Sequence, residues 1–100
     1  MKTAIPTNDK ISISNVFGRA EYFAIFDESG IVEILDNREN AKLPGGAGIN
    51  TAQALIKNEV NRIITIDFGP KAKDTIKDRN IEVIMVKEEK TINDLIKQYK

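Results

Sequence analysis

Pro44-Gly45-Gly46-Ala47-Gly48-Ile49-Asn50-Thr51-Ala52-Gln53-Ala54-Leu55-Ile56 is the stretch where the chain changes its period. Before it, apolar residues alternate as they do on a pleated strand. From Ile49 they recur at Ala52, Ile56 and Val60, with Leu55 beside them, which is one face of an α-helix. The spacing predicts a helix over residues 48–59, entered through a glycine turn. Ile63-Ile64-Thr65-Ile66 follows as a nearly continuous apolar strand, the pattern of one covered on both faces. A strand feeding on from a helix in this way sets the class as α/β.

The elements on either side complete the order. Residues 2–6 read as a short strand that Pro6 ends, because proline has no N–H for the ladder. Thr7-Asn8-Asp9-Lys10 is a turn, Ile11-Ser12-Ile13-Ser14 alternates only briefly, and residues 15–19 read as loop. Tyr22-Phe23-Ala24-Ile25-Phe26-Asp27 is a strong strand. Glu28-Ser29-Gly30 turns it into a hairpin partner over residues 31–36. A polar loop covers residues 37–43.

Downstream, Pro70 suits the first position of a second helix with Ala72 and Ile76 inward, and Asn80 suits a left-handed C-terminal position. Residues 81–86 form a fifth strand. Thr91 caps a last helix, with Asp94 completing a capping box and Ile92, Leu95, Ile96 and Tyr99 as its apolar stripe. The order is β-β-β-α-β-α-β-α. A hairpin half and a right-handed βαβ half make a mixed five-stranded sheet with three helices, in one domain over residues 1–100.

Composition narrows the chemistry. Fifteen basic and fifteen acidic residues cancel and are interspersed, so the clustered cations that nucleic-acid binding requires are missing. The expectation is no nucleic-acid partner. No apolar run is long enough to cross a membrane and no signal-peptide core is visible, so the expected location is cytoplasmic, with no membrane partner. There is no histidine and no cysteine. Their absence removes the usual general base, thiol nucleophiles, and the imidazole and thiolate ligands of transition metals.

A ligand is expected at one end of the sheet. Helix starts carry unpaired N–H groups and partial positive charge, and in open α/β sheets they gather beyond the carboxyl ends of the parallel strands. Three such starts converging there favour an anion. Gly45, Gly46, Ala47 and Gly48 lead into one of them, and Asn50 lies in its first turn. The segment is either an anion-binding nest or a flexible turn. It is not a Walker A loop. As a dinucleotide fingerprint it is broken at Thr51 and follows a polar loop rather than a strand. The loop over residues 7–19 reaches the same end with Asn8 and Arg19, whose guanidinium either holds an anion or makes a surface ion pair. Asp9, Asp36, Asp67 and Glu88 are placed near this end as well, where clustered carboxylates would suit Mg²⁺. Asp67 also reads as a helix cap or turn former.

Four motifs in order carry a resemblance: Ala4-Ile5-Pro6-Thr7, Phe17-Gly18-Arg19-Ala20, Gly45-Gly46-Ala47-Gly48-Ile49 with Ala52-Gln53, and Gly69-Pro70-Lys71-Ala72. Together they resemble the dinitrogenase iron–molybdenum cofactor biosynthesis family, which includes NifX-type carriers and the C-terminal domain of NifB-type proteins. The resemblance spans nearly the whole chain. It implies a ribonuclease H-like fold with strand order 3-2-1-4-5 and strand 2 antiparallel. It also implies a non-enzymatic domain that binds or carries an anionic iron–sulfur or iron–molybdenum type cluster or its precursor, with a cofactor-assembly protein as a partner. Relatives often have His just before Phe-Gly-Arg-Ala, where this chain has Val16. The alternatives are an interaction subunit pairing through the edge strand over residues 31–36, or a Mg²⁺-dependent nuclease by fold analogy. The nuclease would need a carboxylate where the first strand has Ala4 and Ile5.

Overall fold

The structure is a computed structural model that describes residues 1–30 and 32–100. Five strands form one sheet: β1 (Thr3–Thr7), β2 (Tyr22–Phe26), β3 (Val32–Asp36), β4 (Arg62–Thr65) and β5 (Glu82–Met85). Their order is β3-β2-β1-β4-β5. β2 runs antiparallel to β1 and β3, while β1, β4 and β5 are parallel. Among the described residues four helices accompany them: α1 (Arg38–Ala41), α2 (Ala47–Lys57), α3 (Pro70–Ile76) and α4 (Ile92–Tyr99). Ile31, expected to begin the third strand, lies outside the described residues.

Strand alternation splits the core in two. Ala4 and Ile63 point to the face covered by α2 and α3, where they meet Phe23, Leu55 and Ala72. Their neighbours Ile5 and Ile64 point to the opposite face, against Phe26, Leu95 and Ile96. The central strands are thus buried on both sides, which is why they read as unbroken apolar runs. The result is three layers, with α2 and α3 on one side of the sheet and α4 on the other. Leu55 is fully buried, and truncating such a residue to alanine costs about 2–5 kcal/mol.

Several local expectations are corrected. Pro6 does not end β1, which runs on to Thr7. The Pro6 carbonyl accepts from the Ser14 N–H at 2.7 Å, so this edge of the residue faces the loop rather than β2. On the β4 side the ladder pairs only Thr3 and Ala4, and the missing N–H falls beyond it. The buried stripe of α2 is Ala47, Thr51, Ala52 and Leu55, rotated from the predicted Ile49–Ile56 line. The helix stops at Lys57, short of residue 59. Glu59 takes φ +62, Glu59 N–H bonds to Ile56 O, and Val60 N–H bonds to Leu55 O. That is a Schellman ending without its usual glycine, and it folds Val60 back into the core. Asn80 is left-handed as expected, at φ +60, four residues past the end of α3. The polar stretch after β3 contains α1, one turn of helix that the sequence pattern did not announce.

Candidate functional site

The glycine turn enters α2 at the carboxyl end of the parallel strands. Gly46 is the residue before the helix and takes φ +78, a left-handed conformation that a side chain disfavours. Gly45 and Gly46 are exposed. No side chain caps the start of α2. α3 also begins without a side-chain cap, after Gly69 and with Pro70 at its first position. α4 is different, because Thr91 Oγ1 accepts from the Asp94 N–H at 3.1 Å. The starts of α2 and α3, on one face of the sheet, therefore keep amide donors without a side-chain cap, and the start of α4 does not.

Residues 17–20 form a wall against the α2 start. Phe17 is buried, with its ring edge-to-face on Phe68 at 4.8 Å and on Phe23 at 5.4 Å between centroids. Gly18 lies backbone to backbone on the helix start. A Cβ at Gly18 would stand 2.8 Å from the Gly48 Cα and 2.9 Å from its nitrogen. Buried hydrogen bonds hold the wall in place. Thr51 Oγ1 donates to Gly18 O at 3.0 Å, and the Asn37 side-chain amide donates to Ala20 O at 2.9 Å and to Thr51 Oγ1 at 3.0 Å. Arg19 Nη1 donates to Ala41 O at 2.8 Å and Leu43 O at 2.7 Å, tying the wall to the end of α1 and the residues after it.

Between the wall, the start of α2 and the start of α3 lies an open cleft of about 410 Å³, bordered by residues 17–19, 46–49, 67 and 69–72. Its charged lining residues are Arg19, Lys71 and Asp67. Two cations and a rim of amide donors outweigh one carboxylate, so the cleft suits an anion. Another depression, of about 460 Å³, lies at the opposite end, around Met1, Glu28 and Asn61. It receives no helix start and mixes both signs of charge, so it offers no comparable preference.

The predicted site residues divide. Arg19, Gly46, Ala47 and Gly48 line the cleft. Gly45 stands exposed just outside it. Asn50 supports the turn from behind, its side-chain amide donating to Gly46 O at 2.8 Å. Asn8 is elsewhere: its Oδ1 accepts from the Glu21 N–H at 3.0 Å and its amide donates to Ser14 Oγ at 3.4 Å, so it staples a loop. Arg19 makes no ion pair, since the two ion pairs among the described residues are Met1–Glu28 and Arg38–Asp36. The expected third helix start does not join the cleft. α4 begins on the other face, beside Ser12.

The carboxylates do not cluster. Asp9 accepts from the Ile11 and Ser12 N–H groups, and these bonds, Ser12 first, hold its carboxyl below the usual range. The Arg38 guanidinium holds the Asp36 carboxyl down at about 2. Asp67 reaches the cleft but caps nothing, the residue before α3 being Gly69 with no side-chain cap. Among the described residues no three carboxylates come together to hold a metal ion. The Mg²⁺ expectation therefore falls, and with it the carboxylate set a nuclease would need.

Gly18, Lys71, Asn37 and Thr51 were not singled out as site residues. Gly18 and Lys71 sit inside two of the four motifs. Thr51 is a polar residue four before Leu55, in phase with the buried face. For Asn37 no sequence signal exists, because its role depends on three segments meeting.

The sheet order and layers define a three-layer α/β domain of ribonuclease H-like architecture, with a glycine-walled cleft beyond its parallel strands. The chain belongs to the dinitrogenase iron-molybdenum cofactor family, whose model matches residues 1–100. An uncharacterised protein of Methanocaldococcus jannaschii is 40% identical over 86 residues, covering 83% of this chain and 72% of that protein. The apo form of the orange protein from Desulfovibrio gigas superposes with a TM-score of 0.89 at 28% identity, over 98% of this chain and 85% of that one. A candidate NifB protein from Thermotoga superposes with a TM-score of 0.80 at 31% identity, again over 98% and 85%. No helix among the described residues is long and apolar enough to cross a membrane.

Proposed function

We propose that this domain is a non-enzymatic carrier that docks an anionic cofactor of the iron–molybdenum type, or a precursor of it, in the cleft between Gly18, Gly48 and Pro70. The observation that carries the reading is the pair of uncapped helix starts facing one exposed cleft, with Arg19 and Lys71 on its rim. Family membership supplies the class of ligand.

The donor set decides how such a group is held. The chain has no histidine and no cysteine, and among the described residues Asp67 is the one carboxylate lining the cleft. These residues do not fit a cluster that takes imidazole or thiolate bonds from its protein. They fit an anion that arrives with its own ligands complete and whose outer atoms accept N–H bonds from backbone and cations. Such an anion leaves by breaking hydrogen bonds alone, without exchange of metal ligands, which suits transfer to a cofactor-assembly protein. Gel filtration of the protein mixed with isolated iron–molybdenum cofactor tests the reading. Comigration of molybdenum with the protein, weakened by Lys71→Glu, is expected. Molybdenum eluting wholly apart from the protein would remove the cluster reading.

A second reading has one specific observation behind it. β3 is an edge strand, and Val32 and Ile34 on it are 41% and 45% exposed. Unpaired edges with apolar residues invite strand addition. Light scattering at several concentrations tests it: a concentration-dependent dimer lost in Ile34→Lys supports edge pairing, and a strict monomer excludes self-pairing.

A further inference from the structure

We infer that Asn37 and Thr51, neither of which touches the cleft, are positioning residues that set its shape by fixing the carbonyl of Gly18. The inference rests on the cleft being the docking site.

Both side chains are buried, Asn37 at 2% exposure and Thr51 at 0%. They form one directed chain. The Asn37 amide donates to Thr51 Oγ1, and the Thr51 hydroxyl donates in turn to Gly18 O. The second hydrogen of the Asn37 amide goes to Ala20 O. Asn37 Oδ1 accepts from the Asn40 side-chain amide at 2.9 Å, and its backbone N–H bonds to Glu21 O at 2.8 Å. Every polar atom in the chain is satisfied, and each has one direction. The Gly18 carbonyl can only accept, so the threonine hydroxyl must donate to it, and the Asn37 amide meets a lone pair of the same oxygen.

An apolar pair of the same size would fill this space but would leave the carbonyls of Gly18 and Ala20 without these donors. What the polar pair adds is a fixed distance. It holds residues 18–20 at one height above α2, where Gly18 meets Gly48 with no room for a Cβ. A wall free to lift would let the cleft vary in width, and each docking event would then have to order it. The network removes that freedom in the empty protein. It begins at the end of β3 and ends at the cleft, so α1 and the Gly18 wall are set by the same bonds.

Thr51→Val tests this, because it keeps the shape and removes the hydroxyl. The reporters are amide exchange rates in the ligand-free protein: Ala20, bonded to Phe17 O, Asn50, bonded to Gly46 O, and Val86, bonded to Thr65 O across the sheet. Exchange at Ala20 and Asn50 is expected to rise by about ten-fold or more with Val86 changed less than about two-fold, and Thr51→Ser is expected to restore the parent rates. All three rates rising together would mean general destabilisation, and no change would mean the hydroxyl positions nothing. Either result overturns the inference. If Thr51→Val does not fold, Thr51→Ala is read in the same way. Affinity for isolated iron–molybdenum cofactor is measured in parallel and is expected to weaken by about five-fold or more in Thr51→Val. An unmodified protein that fails to bind the cofactor would count against the docking reading alone, since the exchange rates still decide the positioning role.

Discussion

Gly18 and Gly48 touch through their backbones: a Cβ built on Gly18 falls 2.8 Å from the Gly48 Cα, closer than such atoms pack. The contact is one-sided, because a Cβ on Gly48 meets nothing within 4 Å. Gly18→Ala should therefore push the wall off α2 and destabilise the protein by about 1–3 kcal/mol. Gly48→Ala should be neutral or stabilising by up to about 1 kcal/mol, since it removes chain entropy from the unfolded state. Urea unfolding of the two variants checks the asymmetry.

The glycine turn makes a similar contrast. Gly46 sits at φ +78, whereas Gly45 is not in the left-handed region and has open space around its Cβ direction. Gly46→Ala should cost about 1–2 kcal/mol for the left-handed backbone. Gly45→Ala should stay within about 0.5 kcal/mol of the parent. Thermal unfolding distinguishes them.

Arg19 is committed to the carbonyls of Ala41 and Leu43, not to an acidic side chain. Arg19→Lys keeps the charge but shortens the side chain and removes the planar guanidinium that carries a donor nitrogen to both carbonyls. The expected outcome is faster proteolysis and faster amide exchange over residues 38–44, with the sheet unaffected. Mass-spectrometric hydrogen exchange of the parent and the lysine variant checks this.

Acid should loosen the fold while the neutral range does not. The Asp36 carboxyl is held at about 2, against an ordinary 3.8, first by its hydrogen bonds from the Arg38 side chain. Asp9 is lowered too, by the Ser12 and Ile11 N–H groups. A depressed carboxyl stabilises the fold above its ordinary value and loses that contribution as pH falls through the folded value. Both groups are at the surface, so the effect is modest. With no histidine in the chain, the melting temperature should be nearly flat between about pH 5 and 7 and fall below about pH 4. Asp9→Asn should flatten part of that acid limb.

The sequence of elements and the two-sided burial of Ile63 and Ile64 were legible because strand alternation and helix period are local signals, whereas the spatial strand order came only with the family resemblance. The glycine turn and Pro70 were legible for the same reason, each marking its own helix start. The cleft itself was only half legible. Gly46 and Gly48 announced one side, but the Gly18 wall faces them because of a contact thirty residues away in the chain. Asn8 lies apart from the cleft lining, and its sequence could not say so, because a polar side chain near a ligand end looks the same whether it binds a ligand or the Glu21 backbone. The Schellman ending at Glu59 was missed because the left-handed residue is not a glycine. The third helix start was placed in the cleft because topology gives the end of the sheet, while α4 packs on the other face.

The central claim is that negative charge docks on backbone amides at the mouth of this cleft. The direct measurement is an amide-resolved nuclear magnetic resonance titration of the protein with isolated iron–molybdenum cofactor. The resonances of Gly46, Gly48, Ile49, Lys71 and Ala72 are predicted to shift or broaden first, with those of Arg62 and Glu82 at the far end unchanged. Perturbation centred on the depression around Met1 and Asn61, or no perturbation at all, would contradict it.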